Sequence, residues 1–69
     1  MSSVCIEIVE GNPHLRSLLC WHLQQVGYRV HQAASLYQAR DVFLTRQPTL
    51  IILDTELADG DGLEFCCWL

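Results

Sequence analysis

The chain has 69 residues, a formal net charge of −4 and 51% hydrophobic residues, which fits one small globular domain near the lower limit at which burial sustains a fold. Its four basic residues, Arg16, Arg29, Arg40 and Arg46, are scattered and there is no lysine, which argues against a nucleic-acid groove. No apolar run approaches the length of a membrane span.

In chain order, segment 4–9 is rich in β-branched residues and is stopped by Glu10-Gly11-Asn12-Pro13, so it reads as a first strand. Glu7 interrupts a run that otherwise looks buried on both faces, where an ionised carboxylate is costly unless it is paired or wet. Asn12-Pro13 suits a helix start, with Asn at the cap and Pro at the first helical position. Leu15, Leu18, Leu19, Leu23 and Val26 recur at helical spacing through segment 14–26, and Gly27 fits the left-handed C-terminal position. Trp21 lies beside this stripe, and His14 and His22 fall on its flanks as surface histidines.

Segment 28–32 alternates, which suggests a second strand at a sheet edge with one wetter side. Ser35 and Gln38 form a capping box, and the helix that follows turns Leu36, Ala39, Val42 and Phe43 inward until Gln47-Pro48 ends it. Leu50, Ile51, Ile52 and Leu53 form a short apolar third strand that delivers Asp54 at its carboxyl end. A polar, glycine-punctuated loop follows, Asp61 caps a third helix, and the sequence stops within that helix.

The pattern is β-α-β-α-β-α with no hairpin signal, which implies a parallel sheet with right-handed crossovers. The opening Met1-Ser2-Ser3-Val4 has no charged segment leading into an apolar core, so no secretory leader is expected and the cytoplasm is the expected compartment. Cys5 and Cys20 suit buried positions, and the adjacent Cys66 and Cys67 do not suit a bridge. A small thiol or metal protein is a reading from another class. It is discounted because there is no C-x-x-C and no two-histidine helix motif.

In such a sheet the ends of the first and third strands lie side by side, which puts Glu10 next to Asp54. Two carboxylates and a loop carbonyl form an oxygen-rich site of the kind Mg²⁺ accepts, and a phosphoryl group can approach Asp54 there.

These blocks are Ile8-Val9-Glu10-Gly11-Asn12-Pro13, Gly27-Tyr28-Arg29-Val30, Pro48-Thr49-Leu50-Ile51-Ile52-Leu53-Asp54 and Asp59-Gly60-Asp61-Gly62-Leu63-Glu64. In order and spacing, the chain resembles a response regulator receiver domain over nearly its whole length. The resemblance implies a truncated flavodoxin-like α/β unit of sheet order 2-1-3, with residues 1–69 supplying the first three βα units. It implies that Asp54 is the phosphoacceptor, that a sensor histidine kinase is the donor partner, and that Mg²⁺ is held by Glu10, Asp54 and the backbone carbonyl of Glu56. Such a module is a signalling part rather than an enzyme. Output domains that bind DNA are common in the family, and nothing in these residues encodes one.

Three departures qualify the implication. Gly11 stands where the family usually has a second acid that contacts the metal, so weakened Mg²⁺ binding is expected. Ala58 replaces a usual proline, a minor change. The hydroxyl-bearing residue ending a fourth strand and the lysine ending a fifth have no counterpart.

With order 2-1-3 the strand Leu50–Leu53 becomes an edge, and a flat apolar edge is a template for pairing. The alternative function is therefore a receiver-derived module that is not phosphorylated and acts through association with a second copy or with a partner that supplies the missing half. Two third strands would meet antiparallel in a homodimer with a continuous 2-1-3-3′-1′-2′ sheet, and the third helix would lie across the joint.

Overall fold

A computed structural model of the chain describes residues 4–54 and 56–69. Met1, Ser2 and Ser3, on which most of the leader reading falls, and Thr55 lie outside the described residues.

The sheet is built on β1, Cys5–Val9, whose five residues are all buried. Helix α1, Pro13–Val26, follows. Asn12 Oδ1 accepts the N–H groups of His14 and Leu15 at 2.9 and 3.2 Å, which satisfies two of the open donors at the helix start. At the other end Gly27 adopts φ 105°, its N–H donates to Gln24 O at 3.0 Å, and the N–H of Tyr28 donates to Leu23 O at 3.2 Å. This paired closure needs a left-handed residue, which glycine supplies without steric cost.

Strand β2 is Arg29–Ala33 and helix α2 is Leu36–Arg46. Ser35 Oγ accepts the N–H of Gln38 at 3.2 Å, as the capping box predicts, but Gln38 Oε1 reaches back to Ala34 N at 2.8 Å rather than to Ser35. Gln47 closes α2 in the left-handed region at φ 50°, and Pro48 prevents continuation. Strand β3 is Leu50–Leu53.

The order is β2-β1-β3, parallel throughout, with Glu7 aligned to His31 on one side and to Ile51 on the other. The period-two alternation of β1 divides the core. Ile6 and Ile8 pack with Cys20, Leu19 and Leu23 of α1, together with Val30 and Ile52. On the opposite face Val9 and Ala33 pack with Ala39 and Leu36 of α2, and with Ile51 and Leu53. Phe65 joins this second cluster from helix α3, Gly62–Trp68. This is the doubly wound flavodoxin-like arrangement, cut to its first three strands.

The structure departs from the sequence expectations in two places. The segment after Asp54 was expected as a plain loop, but it contains a two-residue antiparallel pair, β4 (Glu56–Leu57) and β5 (Gly60–Asp61). Two residues per strand are too few to show any periodicity. The α1 stripe is only partly covered: Leu19 and Leu23 pack on the sheet, whereas Leu15, Leu18 and Val26 are 43%, 54% and 70% exposed. Periodicity shows which side of a helix is apolar but not how wide its neighbour is, and a three-stranded sheet is narrow. As order 2-1-3 requires, β3 is an edge: among the described residues it pairs only with β1, and Leu50 is exposed.

Candidate functional site

Glu10 and Asp54 are the residues that follow the aligned pair Val9 and Leu53. The N–H of Asp54 donates to Val9 O at 2.9 Å and the N–H of Glu10 to Ala33 O at 3.0 Å, so the ladder bonds continue past both strand ends. Both acids therefore stand at the carboxyl edge of neighbouring strands, where open α/β sheets place their ligand chemistry. Each is half-buried.

The turn after β1 is held firmly. Arg16, one turn into α1, reaches back with Nη1 to Glu10 O at 2.8 Å, and Glu10 Oε2 accepts the N–H of Asn12 at 3.1 Å. Asn12 spends its side-chain oxygen on the helix cap, so it serves α1 before it can serve a metal. The support from Arg16 has no local signature in the sequence, because it spans six residues across a turn.

Gly11 is exposed, and a Cβ built there would make ordinary contact with Leu57 Cδ2 at 3.7 Å. The position has room for a side chain. No group of three or more His, Cys, Asp or Glu able to hold a metal occurs among the described residues. Two carboxylates with a backbone carbonyl nonetheless fit a hard cation such as Mg²⁺, which keeps several waters and commonly takes only one or two protein carboxylates.

The hairpin beyond Asp54 is tied to two helices. Asp59 Oδ1 and Oδ2 accept the N–H groups of Leu36 and Tyr37 at 2.8 and 3.0 Å, and these two bonds hold its carboxyl below the usual carboxylate range. Asp61 Oδ1 accepts the N–H of Leu63 at 2.8 Å, the expected cap of α3.

Glu7 is a third acid on β1, but it faces the α2 side of the core and is fully buried. Neither of its oxygens has a hydrogen-bond partner among the described residues, and the same is true of Nε2 of its neighbour His31. Burial pushes the Glu7 carboxyl up to about 7. His31 is pushed down, by burial first and then by Arg46 and Arg29. Cys5 and Cys20 are buried as expected, with Cys20 Sγ accepting from Gln32 Nε2 at 3.2 Å, while Cys66 and Cys67 are exposed free thiols. His14 and His22 are exposed, as expected. No helix among the described residues is long and apolar enough to cross a membrane.

A family model described as the response regulator receiver domain matches residues 6–69. The chain is 45% identical over 58 residues to the KDP operon transcriptional regulatory protein KdpE of Escherichia coli, covering 84% of this chain and 26% of that protein. It is 36% identical over 59 residues to sporulation initiation phosphotransferase F of Bacillus subtilis, covering 86% of this chain and 48% of that one. Among solved structures, the non-phosphorylated HemR receiver domain from Leptospira biflexa superposes with a TM-score of 0.90 at 29% identity, over 96% of this chain and 53% of that one. The MaeR response regulator bound to beryllium trifluoride gives 0.89 at 26% identity, over 96% and 56%. The chain thus spans between about a quarter and a half of these relatives' lengths.

Proposed function

The chain belongs to the response regulator receiver family, and on that premise we propose that it is the N-terminal part of a receiver whose phosphoacceptor is Asp54. The observation that carries this reading is the register that sets Glu10 and Asp54 on adjacent strand ends, beyond the pair Val9 and Leu53. Receivers act with sensor histidine kinases in two-component signalling, and the proposed donor is the phosphohistidine of such a kinase. An Asp54 oxygen forms the new O–P bond as the donor's P–N bond breaks, and the imidazole leaves with the electron pair and takes up a proton. Mg²⁺, when bound, offsets the negative charge of the carboxylates and of the incoming phosphoryl oxygens. Glu10, Asp54 and the Glu56 backbone carbonyl are the residues we assign to it. Arg16 keeps the end of β1 in place, and the chain accepts the group rather than catalysing turnover.

With Gly11 in place of an acid, Mg²⁺ binding is weakened, because affinity for a hard cation follows the charge of its ligands. The test is incubation with acetyl phosphate and Mg²⁺ followed by intact-mass measurement. One phosphoryl adduct is expected on the wild-type chain and none on Asp54→Asn; an adduct that survives in Asp54→Asn removes the assignment. Gly11→Asp, for which the structure has room, should tighten Mg²⁺ binding about tenfold.

The edge position of β3 favours a second reading, in which the chain works by association. Two copies join their β3 edges antiparallel, with α3 across the joint, and Leu50 is covered again. A concentration-dependent dimer in sedimentation, abolished by Leu50→Lys at the exposed edge, is its expected signature, and a monomer throughout the micromolar range excludes it. In either reading we place the segment in the cytoplasm, without direct nucleic-acid contact of its own.

A further inference from the structure

Asp59 sits in the turn between β4 and β5, more than twenty residues along the chain from the helix whose first turn it binds. Its two oxygens take the N–H groups of Leu36 and Tyr37. Helix α2 already has a local cap in Ser35, with Gln38 closing back onto Ala34. Ser35 Oγ satisfies only the N–H of Gln38, so the Asp59 bonds complete the helix start at Leu36 and Tyr37, and because they reach across the fold they also fix the turn itself.

Two further contacts hold the turn in the same place. Gly60 lies so close to α2 that a Cβ there would stand 2.7 Å from Leu36 Cδ1, at φ 153°. Leu57 packs on the same core cluster as Leu36. Within the hairpin Glu56 is aligned with Asp61 and Leu57 with Gly60. A shift of the turn is thus transmitted to the Glu56 backbone across only two residue pairs.

We propose that Asp59 is a positioning residue, whose carboxylate clamps the acceptor hairpin to the first turn of α2 and thereby sets the Glu56 backbone carbonyl in the metal site. This rests on the reading of Glu10, Asp54 and the Glu56 carbonyl as that site. The ionised state of Asp59, favoured by the two N–H bonds, keeps both oxygens available as acceptors.

The test uses the 69-residue chain, with Mg²⁺ titrated against backbone amide shifts and with amide hydrogen exchange measured without metal. Asp59→Ala is expected to speed exchange at Leu57 and Gly60 about tenfold and to raise the Mg²⁺ dissociation constant about tenfold, as loss of a group that orients a ligand does. Asp59→Asn, which retains one acceptor oxygen, should fall between the two and guards against a variant that does not fold. Ser35→Ala removes the local cap of α2 but not the clamp, and should leave the Mg²⁺ constant unchanged. An unchanged constant in Asp59→Ala, or an equal rise in Ser35→Ala, overturns the proposal. If the wild-type chain shows no Asp54-dependent response to Mg²⁺, the metal-site reading falls instead. The clamp is then judged by exchange alone: faster hairpin exchange in Asp59→Ala but not in Ser35→Ala upholds it, and equal rates overturn it.

Discussion

The two faces of the sheet solve the same packing problem differently. The α1 face is hydrocarbon at its centre, with Ile6 and Ile8 buried against Cys20, but its single helix leaves Leu15 partly and Leu18 and Val26 mostly in water. The α2 face is covered by two helices and a hairpin, yet it encloses Glu7 and Nε2 of His31 without hydrogen-bond partners among the described residues. One face is chemically clean and under-covered; the other is well covered and chemically flawed. Stability should therefore respond to side-chain volume on the first face and to pH on the second.

The largest expected effect is on the clean face. Ile8 has no exposed surface, and Ile8→Ala should cost about 4 kcal/mol from lost transfer energy and the cavity left behind. In so small a domain that is most of the folding free energy, and the far-UV circular dichroism of the variant should be that of an unfolded chain at 25 °C. A well-folded variant would mean that the α1 face repacks freely.

Next comes the flawed face. The Glu7 carboxyl is raised from 4.5 to about 7, so its contribution to stability is fully present below pH 4.5 and is lost as pH rises through 7. The loss should reach about 3 kcal/mol by pH 8, read as a falling urea midpoint. Glu7→Gln should flatten this slope. His31 is shifted the other way: its neutral ring contributes stability above 6.5 that is lost as pH falls through its lowered value, which partly offsets Glu7 in mildly acidic solution. A wild-type midpoint that does not move between pH 5 and 8 would show that Glu7 finds compensation in solution.

Smaller effects sharpen the contrast. Asn12→Ala removes the acceptor for two N–H groups of α1 and should cost about 1 kcal/mol in urea unfolding. Leu18→Gln, on the uncovered side of α1, should change stability by less than about 0.5 kcal/mol. A cost several times larger would mean that this side of α1 is covered in solution.

These differences track what a sequence can carry. The caps at Asn12, Gly27, Ser35 and Asp61 were legible because each is a local bond with a residue-type signature. The alternation of elements gave a parallel sheet with the first and third strand ends side by side, and so Glu10 beside Asp54, whereas order 2-1-3 came from the resemblance to a receiver domain. The bonds from Asp59 to Leu36 and Tyr37 span more than twenty residues and come from tertiary approach, so no spacing announces them. Likewise, the stripe on α1 gave its apolar direction but not its coverage. Glu7 stood out at once as a carboxylate in an apolar run. Only the register shows that its neighbour on β2 is His31, whose Nε2 also has no hydrogen-bond partner among the described residues.

That neighbourhood couples folding to proton exchange. Between pH 4.5 and 7 the unfolded chain carries Glu7 largely as carboxylate, while the native chain holds it protonated, so Glu7 draws up to about one proton from solvent as the chain folds, and His31, shifted the other way, gives part of it back. The heat of folding must then depend on the buffer that supplies the proton. Calorimetry at one pH in two buffers of different ionisation enthalpy would count the net protons exchanged, and Glu7→Gln would isolate the share of Glu7.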